Sequence, residues 1–150
     1  MELKDEIHIP ASKAAVYAGL NDPEILKACI PGCQELNQVS ENELEAKVGL
    51  KVGPVKANFG GKVTLDKSGA PDRFSLTGEG NGGVAGFAKG GADVELIEDG
   101  EGTLLRYEAK ADVGGKLAML GGRLIQGTAK KLSGQFFDKF AAIMTEKTDD

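Results

Sequence analysis

KLAMLGGRLIQGTAKKLSGQFFDKFAAIMT, residues 116–145, is the stretch that decides the fold. Leu120, Leu124, Leu132, Phe136 and Phe140 recur at spacings of four or its multiples, and Leu117, Ile125, Ala129 and Ile143 widen that side into a broad apolar face. Arg123, Lys130, Lys131, Asp138 and Lys139 fall mostly on the opposite side. The pattern predicts one long amphipathic helix. At about 1.5 Å rise per residue it would be roughly 40–45 Å long, more than one hairpin can cover. The rest of the chain must supply the cover.

Working outward, the chain just before the helix alternates. Thr103, Leu105, Tyr107, Ala109, Ala111 and Val113 share one parity against Arg106, Glu108, Lys110 and Asp112, and Gly114-Gly115 releases the chain into the helix. Gly86, Ala88, Gly90, Ala92, Val94 and Leu96 oppose Lys89, Asp93 and Glu95 in the same way. Leu44, Ala46, Val48, Leu50 and Val52 alternate with Glu43, Glu45, Lys47 and Lys51, until the parity flips at Gly53-Pro54 to Val55, Ala57, Phe59, Val63 and Leu65. Such a flip marks a tight hairpin between half-buried strands. Phe74, Leu76, Gly78 and Gly80 form the inward set of another strand, and a weak strand is expected over 34–39. At the N-terminus, a strand over 2–9 ends at Pro10. Ser12 caps a short helix over 13–20, and Asp22-Pro23 starts a second that Pro31-Gly32 stops. The order is strand, two short helices, a meander of strands, long helix. It predicts a single α+β domain over 1–150, with a curled antiparallel sheet around the long helix.

Residues 78–91 are glycine-rich and contain a formal G-x-G-x-x-G at Gly78, Gly80 and Gly83. A dinucleotide fingerprint needs a helix after the motif, and here strands lie on both sides, so nucleotide binding is set aside. Glycine inside a strand costs about 0.5–1 kcal/mol relative to alanine. Two readings account for the cost: the glycines let strands bend and the helix approach, or they leave unfilled apolar volume between sheet and helix. Both are retained.

Composition narrows the function. The net charge of -5 speaks against a nucleic-acid binder, which needs a basic patch to neutralise phosphates. No apolar run is long enough to span a bilayer, and the charged start Met1-Glu2-Leu3-Lys4-Asp5 is not a signal peptide, so a cytoplasmic protein is expected. Cys29 and Cys33 form a C-x3-C without a second ligand pair, and His8 lies on a different element, so no metal site is expected. Arg123, Lys130 and Lys131 read as a solvated helix face, with anionic lipid headgroups as the alternative. Tyr107 has inward parity and reads as a core aromatic, a ligand contact being the alternative. Glu79, Lys89, Asp93 and Phe87 have outward parity.

Several strings together resemble the CoxG family of carbon monoxide dehydrogenase subunits: Leu20-Asn21-Asp22-Pro23-Glu24, Cys29-Ile30-Pro31-Gly32-Cys33, Lys51-Val52-Gly53-Pro54-Val55-Lys56-Ala57, Gly86-Phe87-Ala88-Lys89-Gly90, Gly114-Gly115-Lys116-Leu117-Ala118 and Phe136-Phe137. The resemblance implies the START/Bet v 1-like helix-grip fold, with about seven strands wrapped around the C-terminal helix. It implies a non-catalytic accessory role beside a molybdenum-containing dehydrogenase, and a quinone or lipid as hydrophobic ligand. Longer members carry a C-terminal extension, whereas this chain ends in the polar run 145–150, so the expected membrane contact is peripheral, at the inner face of the cell membrane. The residues expected to contact the ligand are Leu76, Gly78, Gly86, Phe87, Ala88, Tyr107, Leu117, Leu120, Gly121 and Leu124, with Gly121→Leu as the substitution that fills the cavity. Leu132, Phe136 and Phe140 are expected to pack densely away from it. No catalytic residue, metal or cofactor is expected. The alternative is a polyketide-cyclase-like enzyme or a small-molecule carrier of the same fold, for which Tyr107, Glu79, Asp93 and Lys89 are the nearby polar candidates.

Overall fold

The computed structural model describes the backbone of residues 1–149 and the side chains of residues 1–146. Seven strands form one antiparallel sheet: β1 (Glu2–Ile9), β2 (Cys33–Ser40), β3 (Glu43–Val52), β4 (Val55–Asp66), β5 (Arg73–Asn81), β6 (Phe87–Asp99) and β7 (Gly102–Gly114). Their spatial order is β1-β7-β6-β5-β4-β3-β2, so every neighbour except β1 is joined to the next by a hairpin. Two short helices, α1 (Lys13–Leu20) and α2 (Pro23–Cys29), link β1 to β2, and α3 (Gly122–Asp149) closes the chain. Ser12 Oγ accepts from the Ala15 amide at 3.2 Å, the cap that the sequence predicts, and Asp22 Oδ1 accepts from the Glu24 amide at 2.9 Å, so the residue before Pro23 caps the second helix.

The strand alternation sorts the side chains. One face of the sheet is crossed by ion pairs between neighbouring strands, such as Lys47–Glu35, Lys62–Glu43, Arg73–Glu95 and Arg106–Glu6. The other face wraps α3. At Gly53-Pro54, Val52 faces Val55 directly, and Gly53 adopts φ +58°, the left-handed conformation that the tight hairpin needs.

The long helix begins later than its periodicity predicts. Gly115–Leu120 is a separate 3-10 segment, and Gly121, at φ +91°, breaks the chain before α3 starts at Gly122. The break resets the helical phase. The face of α3 turned to the sheet runs through Ile125, Ala129, Leu132, Phe136, Phe140 and Met144, while Leu124 is 39% exposed. At 28 residues the helix is about 42 Å long.

The apolar interior has two unequal parts. The larger joins Ile9, Val16, Ile25, Cys29, Phe74, Leu96 and Leu105 to Phe140 and Met144, all buried, with Tyr107 stacked on Phe137 at 5.1 Å. The smaller gathers Val52, Leu117 and Ile125, with Val55, Phe59, Val113 and Leu120 packed against them. The two clusters sit toward opposite halves of α3.

Candidate functional site

Between these clusters the inner face of the sheet is lined by small side chains. The ladders place Ala46 opposite Gly61, Gly61 opposite Gly80, and Gly80 opposite Ala88. In neighbouring rows Gly78 faces Gly90, Gly90 faces Ala111, and Ala92 faces Ala109. A belt of Gly and Ala therefore crosses β3 to β7 in register. The belt lies on the face of the sheet that is turned to α3. The result is a chamber of about 550 Å³ between sheet and helix, within the usual range for small-molecule sites.

Val48, Leu50, Phe59, Val63, Leu76 and Val113 extend the chamber wall from the sheet. Leu117, Ile125, Ala129 and Leu132 form the helix side, and Ile30, just after α2, closes one edge. Thr128 contributes the one side-chain hydroxyl among the described lining residues. Lys62, Glu79, Lys89 and Lys110 border the chamber through their backbone. Their side chains alternate to the outer face, where Lys62 pairs with Glu43 at 3.1 Å and Lys110 with Glu2 at 3.6 Å. Most sheet residues in the wall remain half-buried, so the chamber is in contact with solvent.

The two readings of the glycines divide by position. A Cβ on Gly90 would collide with the Lys110 carbonyl, and one on Gly61 would lie 2.8 Å from the Glu79 carbonyl, so these glycines permit close strand approach. A Cβ on Gly80 would meet nothing nearer than 3.9 Å, and one on Gly78 only ordinary contacts at 3.4 Å. At these two the missing side chain is chamber volume.

Of the residues expected at the site, Leu76, Gly78, Ala88 and Leu117 lie in the wall. Leu120 packs in the small cluster at the wall's end. The others sit elsewhere. Gly86, at φ +116°, belongs to the turn before β6, packed on the Gly114 carbonyl. Phe87 is outside, as its parity predicts, and covers Gly114. Tyr107 is inside but buried in the large cluster, its hydroxyl hydrogen-bonded with that of Ser133 and its acidity lowered by burial. Leu124 touches the hairpin tip at Gly53. Gly121 lies in the break before α3, and a Cβ there would meet open space, so Gly121→Leu would strain the backbone without filling the chamber. Leu132, expected in the dense core, is a wall residue. On the helix side two causes act: the break at Gly121 takes that residue out of α3, and within α3 a spacing of four drifts by about 40° per step, so Leu124 turns away from the face that Phe136 and Phe140 hold. Wall residues outside that expectation, such as Ala109, Ala111, Val113, Ala129 and Thr128, had a visible signal in the small inward positions of β7 and of the reset helix.

Cys29 is buried and Cys33 half-buried. Both are free thiols whose ionisation burial disfavours. Among the described residues, no group of three or more His, Cys, Asp or Glu is placed to hold a metal ion, and no helix is long and apolar enough to cross a membrane.

Comparison with known proteins places this geometry. The sequence profile of the family described as the G subunit of carbon monoxide dehydrogenase (CoxG) matches residues 6–144. A conserved protein from Geobacillus kaustophilus has a crystal structure that superposes with a TM-score of 0.91 at 29% identity, over 97% of this chain and 96% of that one. A START superfamily protein from Mycobacterium smegmatis superposes at 0.75 with 12% identity, covering 97% of each chain. An aromatase/cyclase from Streptomyces sp. R1128 superposes at 0.71 with 9% identity, over 99% of this chain and 95% of that one. No curated protein matches the chain in sequence. The fold is the START/Bet v 1 helix-grip.

Proposed function

The chain belongs to the CoxG family of carbon monoxide dehydrogenase subunits, and on that footing we propose that it is a non-catalytic binding protein holding a lipophilic molecule, of the quinone or lipid class, between its sheet and its long helix. Its partner in this reading is a molybdenum-containing dehydrogenase, and its place of work is the inner face of the cell membrane. The observation that carries the proposal is the chamber of about 550 Å³, with an apolar wall built from in-register Gly and Ala. Small residues across five strands cost packing contacts that larger ones would supply, and a bound lipophile restores them.

The likeness to the aromatase/cyclase extends to the fold alone. Acid–base or nucleophilic chemistry needs a titratable or nucleophilic group at the reacting atoms. Among the described lining residues Thr128 has the only side-chain hydroxyl, and the charged side chains face away. A cyclase reading has no observation of this chain in its favour.

Native mass spectrometry of the purified protein, followed by organic extraction, tests the proposal. A lipophile should leave with the wild-type protein and be absent from a folded Gly80→Leu variant, whose side chain would enter the chamber. A wild-type protein that is empty, and that neither quinones nor fatty acids stabilise against heat, would refute it.

A further inference from the structure

An antiparallel meander sends its turns alternately to two ends, and here the two ends differ in charge. The β2–β3, β4–β5 and β6–β7 connections and the strand ends beside them carry Glu41, Asp66, Asp72, Glu98, Asp99 and Glu101, against Lys67 and Arg73. The other end is built from the Gly53-Pro54 hairpin, the Gly83–Ala85 turn and the Gly115–Leu120 segment with the first turn of α3. Residues 46–65, 80–92 and 113–137 contain no Asp or Glu, in a chain that has 23 of them. Lys51, Lys56, Lys116 and Arg123 are exposed at this end, and among the described residues none of them is in an ion pair.

The same end exposes large apolar side chains at its tips. Val84 is 86% exposed on one loop and Met119 is 84% exposed on another, with Leu124 beside the Gly53 tip. Val84 shares a surface groove with Lys51 and Lys56. The Gly83–Ala85 and Gly115–Leu120 loops pack on each other where Gly86 meets Gly115. Single exposed apolar residues are ordinary. Two nearly bare ones on touching loops, beside unpaired cations and on segments that carry no acid, match a surface that is negative outside and apolar beneath.

We propose that this end is a membrane-docking face: Lys51, Lys56, Lys116 and Arg123 meet anionic lipid headgroups while Val84 and Met119 enter the interface. Each cation near an anionic bilayer contributes about 1 kcal/mol, and the acidic turns at the opposite end orient the molecule by repulsion. Leu117 and Ile125 form part of the chamber wall from beneath these loops, so docking brings the chamber up to the lipid phase. In that respect the inference rests on reading the chamber as a lipophile site. Docking itself is measured on empty protein, so either idea can fail alone.

The chain has no tryptophan, so a single introduced one reports its own surroundings. Val84→Trp and Met119→Trp should each shift to the blue on vesicles of phosphatidylcholine with about one-third phosphatidylglycerol. Val39→Trp, at an exposed apolar site on β2, should not shift. Wild-type protein should co-sediment with the same vesicles, and much less with pure phosphatidylcholine. Binding should fall as salt rises from about 0.1 to about 0.5 M. Lys51→Glu combined with Lys116→Glu should lower the bound fraction roughly tenfold or more. Failure of the wild type to bind anionic vesicles, equal binding to neutral ones, or an equal shift at Val39→Trp would overturn the proposal. So would a wild type that ignores vesicles but captures an acidic protein, with that capture lost in the charge variant.

Discussion

Gly78 and Gly90 face each other across the β5–β6 ladder, and Gly80 lies two residues from Gly78, yet Gly90 does different work from the other two. Gly90 is held against the Lys110 carbonyl and Ala111, so a methyl group there must move backbone. Gly90→Ala should cost about 1–3 kcal/mol in urea unfolding. Gly80 has open space before it, so Gly80→Ala should be neutral, or stabilising by up to about 1 kcal/mol through reduced chain entropy. A large loss at Gly80 would mean that its volume is structural. The glycine count was legible in the sequence. Which glycine meets backbone and which meets space depends on the bend of neighbouring strands, which local pattern does not encode.

At the scale of the element, α3 divides along its length. Phe140 is fully buried between the sheet and the short helices, so Phe140→Ala should cost about 3–5 kcal/mol. Ala129 lies three turns earlier and borders the chamber, so Ala129→Leu should change stability by less than about 1.5 kcal/mol while removing ligand. Thermal unfolding and extraction of the same two variants separate a packing role from a lining role. The helix was legible because its apolar stripe is long. Its start was not. Leu117 and Leu120 continue the apolar stripe by composition, but a glycine at φ +91° interrupts the backbone after them, and only the left-handed conformation of Gly121 reveals it.

At the scale of the molecule, the sheet grips α3 firmly at one half and loosely at the other, and the loose half contains the chamber. A ligand that fills it binds the folded state alone. At about a hundredfold excess over Kd it should add about 2.7 kcal/mol, and for a chain of this size raise Tm by roughly 5–11 °C. A scan of quinones and fatty acids by differential scanning fluorimetry checks this, and a Gly80→Leu variant should show no rise. The element order, the α+β class, the hairpin at Gly53-Pro54, the inward parity of strands β3 to β7 and the cap at Ser12 were all written in the chain itself, because they follow from local periodicity and turn chemistry. The chamber was not, and it emerges only on folding. Volume is what remains when curved strands and a helix fail to meet, and that gap depends on register across β3 to β7 together with the reset phase of α3.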